Sequence, residues 1–261
     1  MTDANNKGSL ARRLTWLALA LSLGGVTAAL IAALGSSAGA WSFGAGLGAL
    51  RYALYTALAG GVLAILAFAL SRRSGARTGW LNGLALAVSL LFVAYLGNQI
   101  ATARSVPAIH DAATDLDDLP QFRKLAVRAD NLAKIPDSDR PELASLDPES
   151  RWKALHREAY ADLRPLRLPA APDEVVRRTA ALARDRGWDV ASVDARAGIV
   201  EATATTLFFR FKDDVVVRVR PDPARPSGSI VDMRSISRVG GSDVGVNAAR
   251  IRSFLVDLAK A

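Results

Sequence analysis

The 261-residue chain contains no cysteine and only two histidines. Without cysteine there can be no disulfide framework, no cysteine-ligated zinc site and no thiol nucleophile. The polar part of the chain also lacks a G-x-S-x-G nucleophile elbow, a P-loop and a dinucleotide-binding fingerprint. These absences exclude the classes of enzyme that are recognised by these short motifs, such as hydrolases with a nucleophile elbow and P-loop nucleotide hydrolases.

Charged residues are absent from three long stretches near the N-terminus, residues 14–34, 52–70 and 80–101. A helix needs about 20 residues to cross a hydrocarbon core of roughly 30 Å, and each stretch is close to that length. We therefore expect a three-span transmembrane anchor over residues 1–103. Both histidines and all Asp, Glu, Lys and Arg residues lie outside the stretches, which favours an anchor over a proton pathway or a haem-binding bundle.

Basic residues flank these stretches unevenly. The N-terminal tail and the loop after the second stretch carry six Lys or Arg, whereas the loop at 35–50 has no charge. Because basic residues concentrate on the cytoplasmic side, we predict a multi-pass protein of the bacterial inner membrane with a cytoplasmic N-terminus and a periplasmic C-terminal domain. A cleaved signal peptide is the alternative for the first stretch, although its length exceeds the usual apolar core of about 7–15 residues.

The net charge of +8 is unevenly distributed. Residues 1–103 hold seven basic residues and one acidic residue, while residues 104–261 hold 26 basic and 24 acidic residues. A nucleic-acid-binding domain would carry its basic excess on the soluble part, so no nucleic acid is expected as a partner. We expect the lipid bilayer as one partner and an envelope protein or an anionic small molecule as another. No cofactor is expected.

The polar part divides into two segments. Residues 104–150 contain five prolines and are predicted to be an extended connecting segment with one short helix at 121–134. Residues 151–261 are predicted to form a soluble α+β domain. Its expected helices are 149–162, 172–186 and 244–260, and its expected extended segments are 164–168, 188–194, 199–205, 208–220 and 229–238. Short links between sequential strands favour an antiparallel sheet with helices packed on one face.

The opposite face of this sheet is predicted to be rich in charge. Charged residues alternate with Val or Met along the last two strands: Arg218, Arg220, Asp232, Arg234 and Arg238. This period of two directs the apolar side chains to the helices and the charged ones away from them. The charged face is either solvated and crossed by ion pairs such as Asp232 with Arg218, or a surface that binds carboxylate or phosphate.

Two segments resemble a known family. Residues 231–252, VDMRSISRVGGSDVGVNAARIR, resemble the signature of the family called domain of unknown function 1499. Residues 106–115, VPAIHDAATD, resemble another motif of that family, so the resemblance covers residues 106–261. Three spans ahead of the domain are similar to a bacterial arrangement in this family. The resemblance implies a membrane-anchored domain but no particular reaction.

The loop before the last predicted helix is the first candidate site. Its glycines and the helix N-terminus could hold an anion together with nearby arginines. The ligand-binding hypothesis therefore comprises Arg218, Arg234, Arg238, Gly240, Gly241 and Asn247. Alternatively, Ser242 or Asp243 caps the helix, and the loop is then a structural turn between strand and helix.

The second candidate group is His110, Asp111, Thr114 and Asp115. A histidine beside carboxylates can bind a metal ion or act in acid–base catalysis. Because the spacing fits no zinc or calcium motif, we assign neither a metal ligand nor a catalytic residue. We predict instead that His110 and Asp111 pack near Arg234, Arg238 or Asn247, as a brace or as a site. Asp115 or Asp117 then caps a turn.

Three function classes agree with these features. The first is an envelope module that binds a partner or an anionic ligand through its Arg-rich face. The second is a periplasmic hydrolase that uses His110 and neighbouring aspartates with an arginine clamp. The third is a membrane-protein assembly factor that acts through its helices. The hydrolase hypothesis requires His110 to reach Arg234 or Arg238 within one pocket. The binding hypothesis requires only an open Arg-rich surface, and the assembly hypothesis requires a lipid-facing stripe of small residues.

Overall fold

The computed structural model describes residues 2–133, 135–137 and 139–261. They divide into a helical unit, residues 2–101 with 207–209, and an α+β unit that contains the other described residues, and each is described by itself.

The helical unit contains three long helices, α1 (Thr2–Ser37), α2 (Phe43–Ser74) and α3 (Gly79–Ser105). Each is long and apolar enough to cross a membrane. The predicted spans at 14–34, 52–70 and 80–101 lie wholly inside these helices, so the prediction of three helices able to span a membrane is confirmed. Helix α2 begins after Ser42, whose hydroxyl accepts a hydrogen bond from the Ala45 N–H (3.2 Å). Such N-caps satisfy a backbone donor that has no partner within the helix.

Small residues bring these helices close together. A Cβ atom added at Gly25 would lie 2.7 Å from the carbonyl oxygen of Ala53, so only glycine permits this approach of α1 to α2. The Ser89 hydroxyl of α3 lies 2.7 Å from the Ala57 carbonyl oxygen and 2.9 Å from the Ser22 hydroxyl. Close contact of small residues and hydrogen bonds between helices are typical of packing inside membranes.

The α+β unit contains a six-stranded antiparallel sheet and four further helices. The strands are β1 (Asp111–Ala113), β2 (Leu166–Leu168), β3 (Asp189–Asp194), β4 (Ile199–Thr205), β5 (Lys212–Pro221) and β6 (Ser229–Ser237). The helices are α4 (Pro141–Ala144), α5 (Pro148–Ala159), α6 (Pro172–Asp185) and α7 (Val246–Leu258). The strand order is β1-β6-β5-β4-β3, and β2 also pairs with β6. The predicted α+β class with an antiparallel sheet is confirmed.

The apolar face of the sheet packs against α6 and α7. Val217 and Met233 project from it and are at most 2% exposed, and Ile251 of α7 is fully buried against the same core. Trp188 stacks on Phe254 with ring centroids 5.0 Å apart. Helix α6 starts at Pro172, where the missing N–H costs nothing, and the chain leaves it through Gly187 at φ 71°. The apolar side chains that alternate along the strands and the apolar stripe of α6, which includes Val175, thus form one core.

The expected helix at 121–134 is wrong for the residues that the structure describes there, 121–133. The backbone N–H groups of Arg123, Lys124 and Leu125 donate to the Glu201 carboxylate instead of building a helical ladder. The last helix begins at Val246 rather than at 244, because Val244 and Gly245 both have positive φ angles, 55° and 78°. That left-handed backbone cannot continue a right-handed helix.

Candidate functional site

The charged face of the sheet is partly covered by residues of the connecting segment. Arg218 on β5 donates to the carbonyl oxygen of Asp118 (2.8 Å) and pairs with its carboxylate (3.0 Å). Glu201 on β4 is fully buried and accepts three consecutive backbone N–H groups of the same segment, at 2.7–3.0 Å. Consecutive N–H groups commonly form an anion-binding nest, and here the bound anion is the protein's own carboxylate.

Sequence reasoning did not identify this role of Glu201. Its only signal was an acidic residue in a strand otherwise made of Ile, Val, Ala and Thr. A buried carboxylate needs hydrogen-bond donors, so the isolated glutamate pointed to a covering segment.

Asp232 joins two of the predicted arginines. Its Oδ2 atom accepts from Arg218 Nη2 (3.1 Å) and Arg220 Nη2 (2.7 Å), which confirms the predicted pair of Asp232 with Arg218. The hydrogen bond from Arg218 also lowers the pKa of Asp118. The Arg218 side chain is only 15% exposed, and these internal carboxylates take up its donors.

Asp111 and Arg234 form a buried ion pair between β1 and β6. Arg234 Nε lies 3.1 Å from Asp111 Oδ1, and its Nη2 lies 2.7 Å from Oδ2. The two side chains are 1% and 7% exposed. Asn131 Nδ2 donates to Asp111 Oδ2 (2.7 Å), and Trp152 Nε1 donates to the Asp111 carbonyl oxygen (2.9 Å). Arg234 is therefore inaccessible to a ligand in this arrangement.

Asn247 ties the same two parts of the chain together from α7. Its Nδ2 donates to the His110 carbonyl oxygen (3.0 Å) and to the Ser237 hydroxyl (2.9 Å). Its Oδ1 accepts from the Ser235 hydroxyl (2.6 Å). The predicted packing of His110 and Asp111 against Arg234 and Asn247 is thus confirmed, and it links the two segments that the sequence singled out.

Polar groups in the turn between β6 and α7 form hydrogen bonds with other groups of the protein. The Asp243 carboxylate accepts the N–H groups of Gly245 (2.8 Å) and Asn247 (2.7 Å), although the N-cap of α7 is Gly245 and not the expected Ser242 or Asp243. Burial raises the pKa of Asp243, while these two hydrogen bonds act in the opposite direction. The Gly240 carbonyl oxygen accepts from Arg128 Nη1 (2.7 Å). Gly241 offers its carbonyl oxygen 3.4 Å from His110 Nδ1.

Thr114 and Asp115 also have structural contacts. The Thr114 hydroxyl accepts from the Met233 N–H (2.9 Å). Asp115 Oδ1 accepts from the N–H groups of Asp117 and Asp118, so it caps a turn as predicted. Within the ranges that the structure describes, no group of three or more His, Asp or Glu side chains is arranged to hold a metal ion.

His156 on α5 is a buried titratable group that the sequence did not single out. Its Nε2 atom accepts from the Ala113 N–H of β1 (3.1 Å), so the ring acts there as a neutral imidazole. The rings of Trp152 and Tyr160 meet it edge to face, at 5.8 and 5.3 Å. Burial lowers the pKa of His156 to about 4, and the nearby Asp111 carboxylate only partly opposes this shift.

A cavity of about 230 Å³ lies where the connecting segment meets the ends of β5 and β6. Its apolar wall is formed by Phe122, Ala126, Val127 and Ile236. Its polar side includes Arg128, Asp214, Ser237 and Arg238. The cavity thus combines a hydrocarbon surface with two guanidinium groups and one carboxylate.

Arg238 differs from the other predicted arginines. Its Nε and Nη2 atoms bind the two Asp214 oxygens, both at 2.8 Å, and Nη2 also donates to the Thr203 hydroxyl (3.1 Å). The hydrogen bonds with Asp214 raise the pKa of Arg238. Its side chain is 42% exposed, and Nη1 donates no hydrogen bond to any residue that the structure describes. Arg238 therefore retains donors for an external acceptor.

A family model described as protein of unknown function (DUF1499) matches residues 111–258, more than half of the chain. The chain belongs to the DUF1499 family. No curated protein matches it. The matched region runs from the first residue of β1 to the last residue of α7, and so contains the whole sheet.

The DUF1499 domain is closed by contacts between its two ends. The Asp111–Arg234 pair and the Asn247 hydrogen bonds connect β1 to β6 and α7. In these contacts, most of the polar side chains that were predicted from the sequence to bind a ligand instead bind other groups of the protein. Among the residues that the structure describes, Arg238 keeps an exposed guanidinium group beside the cavity.

Proposed function

We propose that this DUF1499 protein is a non-enzymatic binding module, held in the bacterial inner membrane by three spans, whose periplasmic domain binds a small anionic ligand beside Arg238. The uneven distribution of basic residues around the spans supports the orientation. The cavity of about 230 Å³, with its exposed guanidinium group and apolar wall, supports the binding.

Alkaline-phosphatase fusions test the orientation. We expect a fusion after Arg104 to be active and a fusion after Arg77 to be inactive, because the enzyme requires export to fold. A cytoplasmic fluorescent reporter should give the opposite pattern at the same two positions. An active fusion at Arg77 with a silent fusion at Arg104 would reverse the proposed topology.

The chemistry of the cavity defines the ligand class. The Nη1 donors of Arg238 suit a carboxylate or phosphate oxygen, since guanidinium groups bind both through charge-assisted hydrogen bonds. Phe122, Val127 and Ile236 suit a short hydrocarbon chain next to that group. Typical cavities for drug-sized ligands measure about 300–1,000 Å³, so this one fits a smaller molecule or one end of a larger one.

The hydrolase hypothesis receives less support. It needs His110 in one pocket with the arginine clamp, but His110 is 4% exposed and is not among the residues that line this cavity. Asp111, its proposed neighbour in catalysis, is committed to Arg234 and Asn131. A binding module requires only the accessible Arg238.

Hexanoate is a suitable probe, because it combines a carboxylate with a short apolar chain. We expect Arg238→Gln to weaken hexanoate binding roughly 10- to 100-fold, the cost of one charge-assisted hydrogen bond of about 1.5–3 kcal/mol. Asp214→Asn should instead tighten binding, because it removes the competing carboxylate while Arg238 stays. Ligand-observed NMR on the full chain in detergent would measure both changes.

The matched control is Arg252→Gln. Arg252 is 40% exposed and also pairs with one aspartate, Asp162, but it does not line the cavity. Hexanoate affinity should be unchanged in this variant. Parallel losses in the Arg238 and Asp214 variants would point to general destabilisation and would refute the proposed site.

A further inference from the structure

The hairpin between β4 and β5 exposes two large apolar side chains at its tip. Leu207 is 78% exposed and Phe208 is 45% exposed. The tip is not a loose loop, because the backbone N–H of Thr206 donates to the Phe211 carbonyl oxygen (2.9 Å) and the Phe211 N–H donates to the Thr206 hydroxyl (2.8 Å). A closed turn therefore presents the exposed side chains of Leu207 and Phe208.

Basic residues adjoin this apolar tip. Arg210 and Lys212 are both exposed. Apolar side chains flanked by Lys and Arg are typical of segments that enter the boundary between lipid headgroups and acyl chains, where the cations meet phosphates. The turn at the opposite end of β5 differs, since its exposed residues around Ala224 include no large apolar side chain.

The strand register places the hairpin tip at the end of the sheet where the chain arrives from α3. Asp111, the first residue of β1, pairs with Ile236, and Asp213 at the root of the hairpin pairs with Ser237. Only residues 106–110 separate the end of α3 from β1. Five extended residues reach at most about 18 Å, so the connection between α3 and this end of the sheet is short.

We propose that the β4–β5 hairpin tip docks into the lipid interface of the membrane that the three helices span. Leu207 and Phe208 enter the boundary of the acyl chains, and Arg210 and Lys212 contact lipid phosphates. The hairpin is then a second attachment, which fixes the orientation of the domain on the bilayer. This proposal depends neither on the ligand at Arg238 nor on which side of the membrane carries the domain.

The absence of native cysteine makes a direct test simple. Leu207→Cys and the control Ala224→Cys each provide one attachment point for a nitroxide spin label in the full chain. Both positions are exposed, so neither substitution removes a packed side chain. After reconstitution in phospholipid nanodiscs, power saturation compares accessibility to oxygen, which partitions into lipid, with accessibility to a water-soluble nickel complex.

We expect the label at 207 to be accessible to oxygen and to lose accessibility to the nickel complex, while the label at 224 stays fully accessible to that complex. Equal nickel accessibility at both positions would overturn the proposal, because the tip would then lie in water. Protection of the label at 207 from both reagents would also overturn it, because the tip would then be covered by protein.

Discussion

Replacing Arg234 with methionine is expected to lower the free energy of unfolding of the α+β domain by about 3–5 kcal/mol, the usual cost of removing one partner of a buried ion pair. Asp111 is 1% exposed, and without Arg234 only the Asn131 amide would hydrogen-bond its carboxylate. Methionine keeps much of the side-chain volume, so the loss reports mainly the unpaired charge. Pulse proteolysis of the full chain in detergent, as a function of urea, measures the change.

Two further variants isolate the cause. Arg252→Met removes a pair with Asp162 in which the side chains are 40% and 57% exposed, and it should cost no more than about 1 kcal/mol. Combining Arg234→Met with Asp111→Leu should recover most of the lost stability, because replacing a whole buried pair by apolar groups is often neutral. A cost for Arg234→Met no larger than that for Arg252→Met would contradict the importance of the pair.

The sheet could be predicted because its strands and turns are marked by patterns among residues that are close together in the sequence. The alternation of Val217 and Val219 with Arg218 and Arg220 defines two faces, and the turn residues between strands separate β3 to β6. The pair of Asp232 with Arg218 also followed, since antiparallel neighbours at the ends of a short connection lie opposite each other. The three long apolar helices could be predicted in the same way, because length and apolar composition suffice to recognise a helix able to span a membrane.

The cover of the charged face could not be predicted in the same way. It depends on contacts between residues far apart in sequence, such as Glu201 with the N–H groups of 123–125. These contacts leave no periodic pattern, and they also explain why a helix was expected wrongly at 121–134. The helix propensity of each residue does not account for the Glu201 carboxylate, which is distant in sequence and accepts the backbone N–H groups that a helix would need.

The same limit applies to the candidate site. The sequence presented Arg218, Arg234 and Arg238 as equivalent members of one face. Their accessibilities differ because the connecting segment covers the first, Asp111 pairs with the second, and the third lies at the edge beside a cavity. The link of His110 and Asp111 to Arg234 and Asn247 was predicted, since both segments stood out. His156 was missed because its partner, the Ala113 N–H, is a backbone group.

The domain should lose stability as the pH falls from 7 to 4, and His156 should contribute about 3 kcal/mol of that loss. Burial lowers its pKa from 6.5 to about 4 in the folded chain. The unfolded chain therefore binds the proton first as the pH falls below about 6.5, which favours unfolding. Protonation of Nε2 would also abolish the hydrogen bond that it accepts from the Ala113 N–H.

Comparison with His156→Gln separates this contribution from that of the other titrating groups. The glutamine Oε1 can accept the same Ala113 N–H but does not titrate. Asp118, whose pKa is lowered, and Asp243, whose pKa is raised, are common to both proteins and cancel in the difference. Urea-dependent pulse proteolysis at several pH values should therefore give a shallower acid loss for the variant. Parallel pH dependences in the two proteins would show that His156 does not titrate below its normal pKa in the folded domain.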